Sequence, residues 1–301
     1  MNELQLIDLL RKKIPRRLQG RFGIGDDAAV LPGLGVERWL FTTDSLVEGV
    51  DFLRRKTPAR LVGRKALAVN LSDIAAMGGT PAAFVVSLGL PKDISQKWIE
   101  DFYAGMIPLA RKYQVLCVGG DISRSHTFFV SIAMLGKIKS TEIVSRRGAK
   151  PGNLIAVTGK LGGSIFGHHL KFEPRIPEAR FLAARFHPTA MLDLSDGLVL
   201  DLGRILKESG VGAEVDLARI PVSPAAKNLE SALTDGEDFE LLLTLSAAQK
   251  RSLEKSWKRR FPQVPLSWIG KIIKTPRKIL WRRQGQPVPA PRLKQPGFTH
   301  F

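Results

Sequence analysis

A set of aspartates in this chain follows one local pattern, an apolar run ending in a carboxylate beside glycine, serine or threonine. Asp26 and Asp27 close Phe22-Gly-Ile-Gly-Asp-Asp27, and Asp44 sits in Leu40-Phe-Thr-Thr-Asp-Ser-Leu-Val-Glu-Gly49. Asp121 ends Val115-Leu-Cys-Val-Gly-Gly-Asp121, and Asp193 and Asp196 share Met191-Leu-Asp-Leu-Ser-Asp-Gly197. Asp73 joins them from a helical stretch, one turn after Asn70. Asp beside Gly also marks ordinary turns. As a set, however, carboxylates delivered by strand ends next to hydroxyls such as Thr42 and Thr43 suit hard divalent cations. Mg²⁺ keeps much of its water and takes one or two carboxylates plus phosphate oxygens, so scattered aspartates fit it better than one dense cage. Two carboxylates about 4 Å apart repel by a few kcal/mol at an effective dielectric near 20, which makes burying them without a cation costly.

Other chemistry-bearing residues give weaker signals. Gly159-Lys-Leu-Gly-Gly-Ser164 follows a strand-like run and opens a helix, so its N–H groups could meet a phosphate or simply make a packing turn. No Walker A, dinucleotide-binding or protein-kinase motif occurs. The five histidines are spaced unlike a metal site, and the single cysteine, Cys117, reads as a small buried hydrophobe.

The elements that must position these residues follow from periodicity. Residues 1–20 form a helix ended by Pro15, and 21–31 and 38–43 are strands. From Thr57 to Met77, Val62, Ala66, Val69, Asp73 and Ala76 mark one helix face, stopped by Gly78-Gly79. A strand covers 82–90, and an amphipathic helix with Ser95 as N-cap runs to Tyr113. Strands 114–119 and 127–137 flank a loop bearing Asp121, and a turn-rich connector spans 138–152. A second unit then shows strands at 154–158, 190–193, 213–217 and 241–245, a helix at 198–209 capped by Gly210, and a basic helix near 247–260.

Length and composition bound the protein. With 301 residues, 44% hydrophobic and 25% charged, two globular domains are expected. No apolar run is long enough for a membrane span, the N-terminus lacks signal-peptide character, and a cytoplasmic protein is expected. The net charge of +18 concentrates between Lys250 and Arg283. Such a run attracts phosphates, but it has few interleaved aromatics and no nucleic-acid motif, so a solvated basic face is the favoured reading.

Taken together, several blocks resemble the thiamine-monophosphate kinase family, of the superfamily that includes aminoimidazole ribonucleotide synthetase and selenophosphate synthetase. In the first half these are Gly23–Ala28, Thr42–Gly49, Lys65–Gly78 and Gly119–Asp121. In the second half they are Ser145–Gly152, Val157–Gly162, Asp193–Leu198, Gly236–Leu241 and the ending Gly297–Phe301. The resemblance implies an α/β (α+β) fold of two domains, residues 1–138 and 148–301, with the N-terminal mixed sheet pairing across a homodimer. It implies ATP-dependent phosphorylation of thiamine monophosphate to thiamine diphosphate with Mg²⁺. Asp26 falls beside the matching metal positions Asp27, Thr42, Thr43, Asp44, Asp73, Asp121, Asp193 and Asp196. Tyr103, Gly120, Asp121, Arg146 and Ser195 are expected at the nucleotide, and Asp51, Glu237 and Phe298 at the substrate. Asp51 departs from the family, which commonly has a histidine there. The acceptor is an ionised phosphate, so no general base is required. A relative of the superfamily acting on another small anion, or a nucleic-acid-associated protein, remains the alternative.

Overall fold

The computed structural model describes residues 3–15, 24–295 and 297. Helix α1 (Glu3–Lys13) is followed by β1 (Ala29–Pro32), β2 (Glu37–Val47), α2 (Ala59–Ala76), β3 (Thr80–Leu90), α3 (Gln96–Lys112), β4 (Leu116–Arg124) and β5 (Phe129–Lys139). These strands form a mixed five-stranded sheet in the order β1-β2-β5-β3-β4, with only β3 and β4 parallel. Then come β6 (Leu154–Thr158), α4 (His168–Lys171), α5 (Ile176–Arg185), β7 (Ala190–Asp193), α6 (Leu198–Ser209) and β8 (Gly212–Asp216). The remainder is α7 (Leu229–Thr234), β9 (Leu241–Leu245), α8 (Lys250–Arg260), β10 (Leu266–Ile273), β11 (Ile279–Arg283) and β12 (Gln286–Pro287). The second sheet has seven strands, ordered β12-β11-β8-β10-β6-β9-β7.

Alternation explains how both sheets are filled. On β2, Leu40, Thr42 and Leu46 are buried toward α2, whereas Phe41, Thr43 and Ser45 face out. In the second sheet both faces are covered. Ala156, Met191, Leu241 and Leu243 join the core that continues into the first domain, while Ile155, Val157, Leu192 and Leu242 pack under α6 on the other side.

Helix α2 holds the molecule together. Its spacing predicted one buried face, but Leu67, Ala68, Leu71 and Ile74 are buried as well, because β2, α3 and the second domain surround it. The α2–α3 contact is close enough to demand glycine: a Cβ on Gly63 would lie 1.9 Å from the Phe102 carbonyl oxygen. Ser95 caps α3 by accepting the Trp98 N–H at 3.2 Å, and Gly210 ends α6 in the left-handed conformation, both as expected.

Several expectations need correction. The Asp121 loop does not exist, because β4 runs straight through Gly119, Gly120 and Asp121, paired with β3. Cys117 is exposed on that strand rather than buried, since β4 lies at the sheet edge and all nine of its residues are exposed. In place of the strand at 21–31, residues 24–28 are bends and only Ala29–Pro32 pairs, with 21–23 outside the described residues. The N-terminal helix stops at Lys13, before Pro15. Helix α5, before β7, has no counterpart among the expected elements.

Candidate functional site

A cleft of about 520 Å³ opens where α1, the Gly25–Asp27 turn, β2, α2, the Arg146 connector, the loop after β7 and the Glu237 segment meet. Within it, carboxylate oxygens of Asp27, Asp73 and Asp193 lie within 4.8 Å of one another. The three arrive from the turn before β1, from α2 and from the end of β7, so both domains build the cluster. Asn70 and Asp73 do point the same way, as their one-turn spacing predicted. Asn70 Oδ1 accepts the Asp44 N–H at 3.2 Å, and the Asp73 carboxylate accepts the Thr42 hydroxyl.

The electrostatics follow from crowding. Burial, then the charges of Asp44, Asp193 and Asp27, push Asp73 well above the ordinary carboxylate range. Burial and Asp27 do the same to Asp193, whose Oδ2 accepts the Ser72 hydroxyl at 2.5 Å. Arg146 is the cation paired with Asp27: its Nη2 donates to Asp27 Oδ1 at 2.5 Å and its Nε to Oδ2 at 3.3 Å. Asp26 accepts the Arg146 backbone N–H at 3.1 Å and is pushed up to about 7 by burial and by Asp27. Asp196 also lines the cleft and is held by Arg204, which pairs with the buried Asp201 as well. Clustered carboxylates with a hydroxyl beside them, their charges only partly offset, are the donor chemistry of a hard divalent cation.

Of the other expected residues, Thr43, Asp44, Ser195, Asp51 and Glu237 line the same cleft. The Ser195 carbonyl accepts the Glu237 N–H at 2.7 Å. Asp51 turns its carboxylate back to the chain, where Oδ2 accepts the Val47 N–H at 2.7 Å. Glu237 has a left-handed backbone, φ 54°, a conformation that costs a side-chain-bearing residue roughly 1–2 kcal/mol.

Tyr103, Gly120 and Asp121 form a separate group on α3 and β4. Asp121 shares a rung with Ser87, Ser131 and Ser45, so three strand spacings separate it from β2, roughly 14 Å within one chain. Gly120 is fixed by packing: a Cβ there would sit 1.9 Å from the Val86 carbonyl oxygen. Phe298 lies outside the described residues, although Gly297 packs directly against the Asp196 backbone.

The glycine loop is a packing turn. The Gly162 N–H and the Ser164 hydroxyl donate to Asp238 at 2.9 and 2.7 Å, and the Gly163 N–H donates to Asp235 at 2.9 Å. Conversely, His169, one of the histidines spaced unlike a metal site, contacts a residue of the cleft: its Nδ1 lies 3.1 Å from Glu237 Oε2 and 3.1 Å from Lys65 Nζ. Lys65, set directly before the apolar run Ala66–Val69, was the available signal for this group.

Comparison with known proteins defines the class first. Residues 25–138 match the family model described as AIR synthase related protein, N-terminal domain, and residues 152–281 match its C-terminal domain counterpart. Within that class the relatives are specific. The thiamine-monophosphate kinase of Rhodopirellula baltica is 37% identical over 99% of this chain and 97% of its own, and that of Escherichia coli is 35% identical over 95% and 93%. AaThiL, solved in complex with AMPPCP and TMP, has a TM-score of 0.83 at 30% identity, covering 100% of this chain and 97% of its own. This chain belongs to the thiamine-monophosphate kinase family.

Proposed function

We propose that the protein transfers the γ-phosphoryl group of ATP to thiamine monophosphate, giving thiamine diphosphate, at the Asp27–Asp73–Asp193 cluster. The convergence of these three carboxylates from both domains is the observation that carries the reading. The full-length kinase relatives and the nucleotide and TMP held by AaThiL support it.

Asp27, Asp73 and Asp193, with Asp26, Thr42, Thr43, Asp44 and Asp196 around them, would hold Mg²⁺. When bound, Mg²⁺ supplies positive charge that offsets repulsion between the acceptor phosphate and the γ-phosphoryl oxygens. Arg146, paired with Asp27 and lining the cleft, and Ser195 would orient the triphosphate. Glu237, Asp51 and Phe298 are assigned to the acceptor. Because the acceptor oxygen is already ionised at neutral pH, alignment and charge neutralisation suffice for direct in-line transfer.

Tyr103, Gly120 and Asp121 are assigned to the nucleotide and metal through a homodimer. Strand β4 leaves Leu116, Val118 and Ile122 each more than 60% exposed and its outer edge unpaired among the described residues. A second copy pairing there would cover this surface and place Asp121 at the interface. No described helix is long and apolar enough to cross a membrane, and a cytoplasmic enzyme is proposed.

The test is an assay with ATP and Mg²⁺ comparing thiamine monophosphate, thiamine and an aminoimidazole precursor side by side. Thiamine diphosphate should form from the first alone. Turnover of another acceptor without thiamine monophosphate, or a phosphoenzyme trapped from labelled ATP, would overturn the proposal.

A further inference from the structure

We propose that Lys65 and His169 are positioning residues for Glu237, clamping its carboxylate at the rim of the cleft from two different domains. The functional half of this inference rests on the kinase reading above; the structural half does not.

Lys65 is a cation with no exposed surface, set in α2 among Ala66, Leu67 and Ala68, all buried. Its Nζ donates to Glu237 Oε1, lies 3.1 Å from His169 Nδ1, and reaches the Asp51 carbonyl oxygen at 3.4 Å. His169, on α4 of the second domain, is 5% exposed and closes the triangle with Nδ1 3.1 Å from Glu237 Oε2. Both carboxylate oxygens of Glu237 are therefore met by buried nitrogens, one from each domain. The Nδ1 atom carries either a lone pair or a proton. Protonated at Nδ1, His169 donates to Glu237 Oε2 while the Lys65 ammonium donates to Oε1, the arrangement that meets both carboxylate oxygens.

Stability alone does not explain this arrangement. A buried ion pair is often matched or bettered by well-packed hydrophobic residues, and α2 is otherwise filled with them at this level. What the clamp fixes is location. The Glu237 backbone is held left-handed by its N–H bond to the Ser195 carbonyl, and its side chain keeps 25% of its surface exposed toward the cleft. Burial pushes the carboxyl up, but the His169 and Lys65 contacts outweigh it and hold Glu237 below its ordinary value. The result is an ionised acceptor pinned in one orientation beside the loop that carries Asp193 and Asp196.

The experiment compares wild type with His169→Leu, His169→Asn, Lys65→Met, Glu237→Gln and the double variant His169→Leu/Glu237→Gln. Asparagine can place an amide N–H near the Nδ1 position, so His169→Asn should stay close to wild type. His169→Leu and Lys65→Met should raise KM for thiamine monophosphate about tenfold or more, with KM for ATP changed less than about threefold. The double variant should be no worse than Glu237→Gln alone, the signature of residues acting through one group. Independently of any substrate, the Glu237 carboxyl carbon followed by NMR should titrate at higher pH in His169→Leu and at the wild-type pH in His169→Asn. An unchanged titration in His169→Leu, or independent, multiplying effects on KM, overturns the clamp. Should Lys65→Met fail to fold, the His169 variants decide the matter. If wild type fails to turn over thiamine monophosphate, the kinase reading falls while the NMR titration still judges the clamp.

Discussion

Ser72 on α2 donates its hydroxyl hydrogen to the Asp193 carboxylate at 2.5 Å, and this one contact joins the helix at the centre of the first domain to the last residue of β7 in the second. The acidic cluster is thus the seam between the domains. Asp27 and Asp73 come from one side and Asp193 from the other, so the set of oxygens is complete only when the domains are docked.

Neutralising one member of the cluster should separate activity from stability. Asp73→Asn and Asp193→Asn should each lower turnover roughly 10²-fold or more, as removal of preorganised charge at a reacting centre does. Without divalent cations the same variants should melt at a higher temperature than wild type, because burial and like charges disfavour the ionised side chains. Thermal melts in a chelator, alongside the assay, check both halves. Near-wild-type turnover in both variants would count against the site.

Arg146 pairs through two nitrogens with Asp27, whose side chain has no exposed surface. Arg146→Ala strands that carboxylate, which should cost about 3–5 kcal/mol in denaturant unfolding. Arg146→Lys keeps a charge but not the forked geometry, and should recover part of the stability while KM for ATP stays raised.

Asp238 gives a pH dependence away from the acidic cluster. Burial pushes it up to about 7 from 3.8, against the opposing bonds from Ser164 and Gly162. The folded chain then holds a proton that the unfolded chain releases across that interval. Its contribution to stability is present below the unfolded value and is lost as pH rises through about 7. Melting temperature in metal-free buffer should therefore fall between about pH 4 and 7, and Asp238→Asn should flatten the slope. An equally steep slope in the variant would refute the assignment to Asp238.

The edge of the first sheet supplies a prediction about assembly. Val118→Lys or Ile122→Lys places a charge on an exposed apolar strand, a substitution that opposes strand-to-strand pairing. Sedimentation should show a shift to monomer with activity lost in parallel. A variant that remains dimeric and active would place the interface elsewhere.

Much of this site was legible because its signals are local. The one-turn spacing of Asn70 and Asp73, the Ser95 cap and the Gly210 stop each depend on neighbours along the chain, and each has its expected counterpart in the structure. What was illegible depends on partners far away in sequence. Nothing near Gly119-Gly120 announces that β3 will carry β4 straight through them, or that α3 leaves Cys117 uncovered. The role of His169 likewise requires Lys65, 104 positions earlier, and Glu237, which reaches it from another loop. The shared local pattern grouped Asp121 with Asp44, yet within one chain three strand spacings separate Asp121 from β2.

The turn at Gly162–Ser164 has a last consequence. Its donors are already satisfied by Asp238 and Asp235, so the chain supplies that loop's acceptors from its own sequence. An internal acceptor needs no capture from solution and does not leave with product. In the proposed mechanism nucleotide recognition would fall to side chains such as Arg146 and to bound cations, which respond to ionic strength and metal supply. A rigid backbone cradle would not, so the enzyme's grip on its phosphates should track the ionic composition around it.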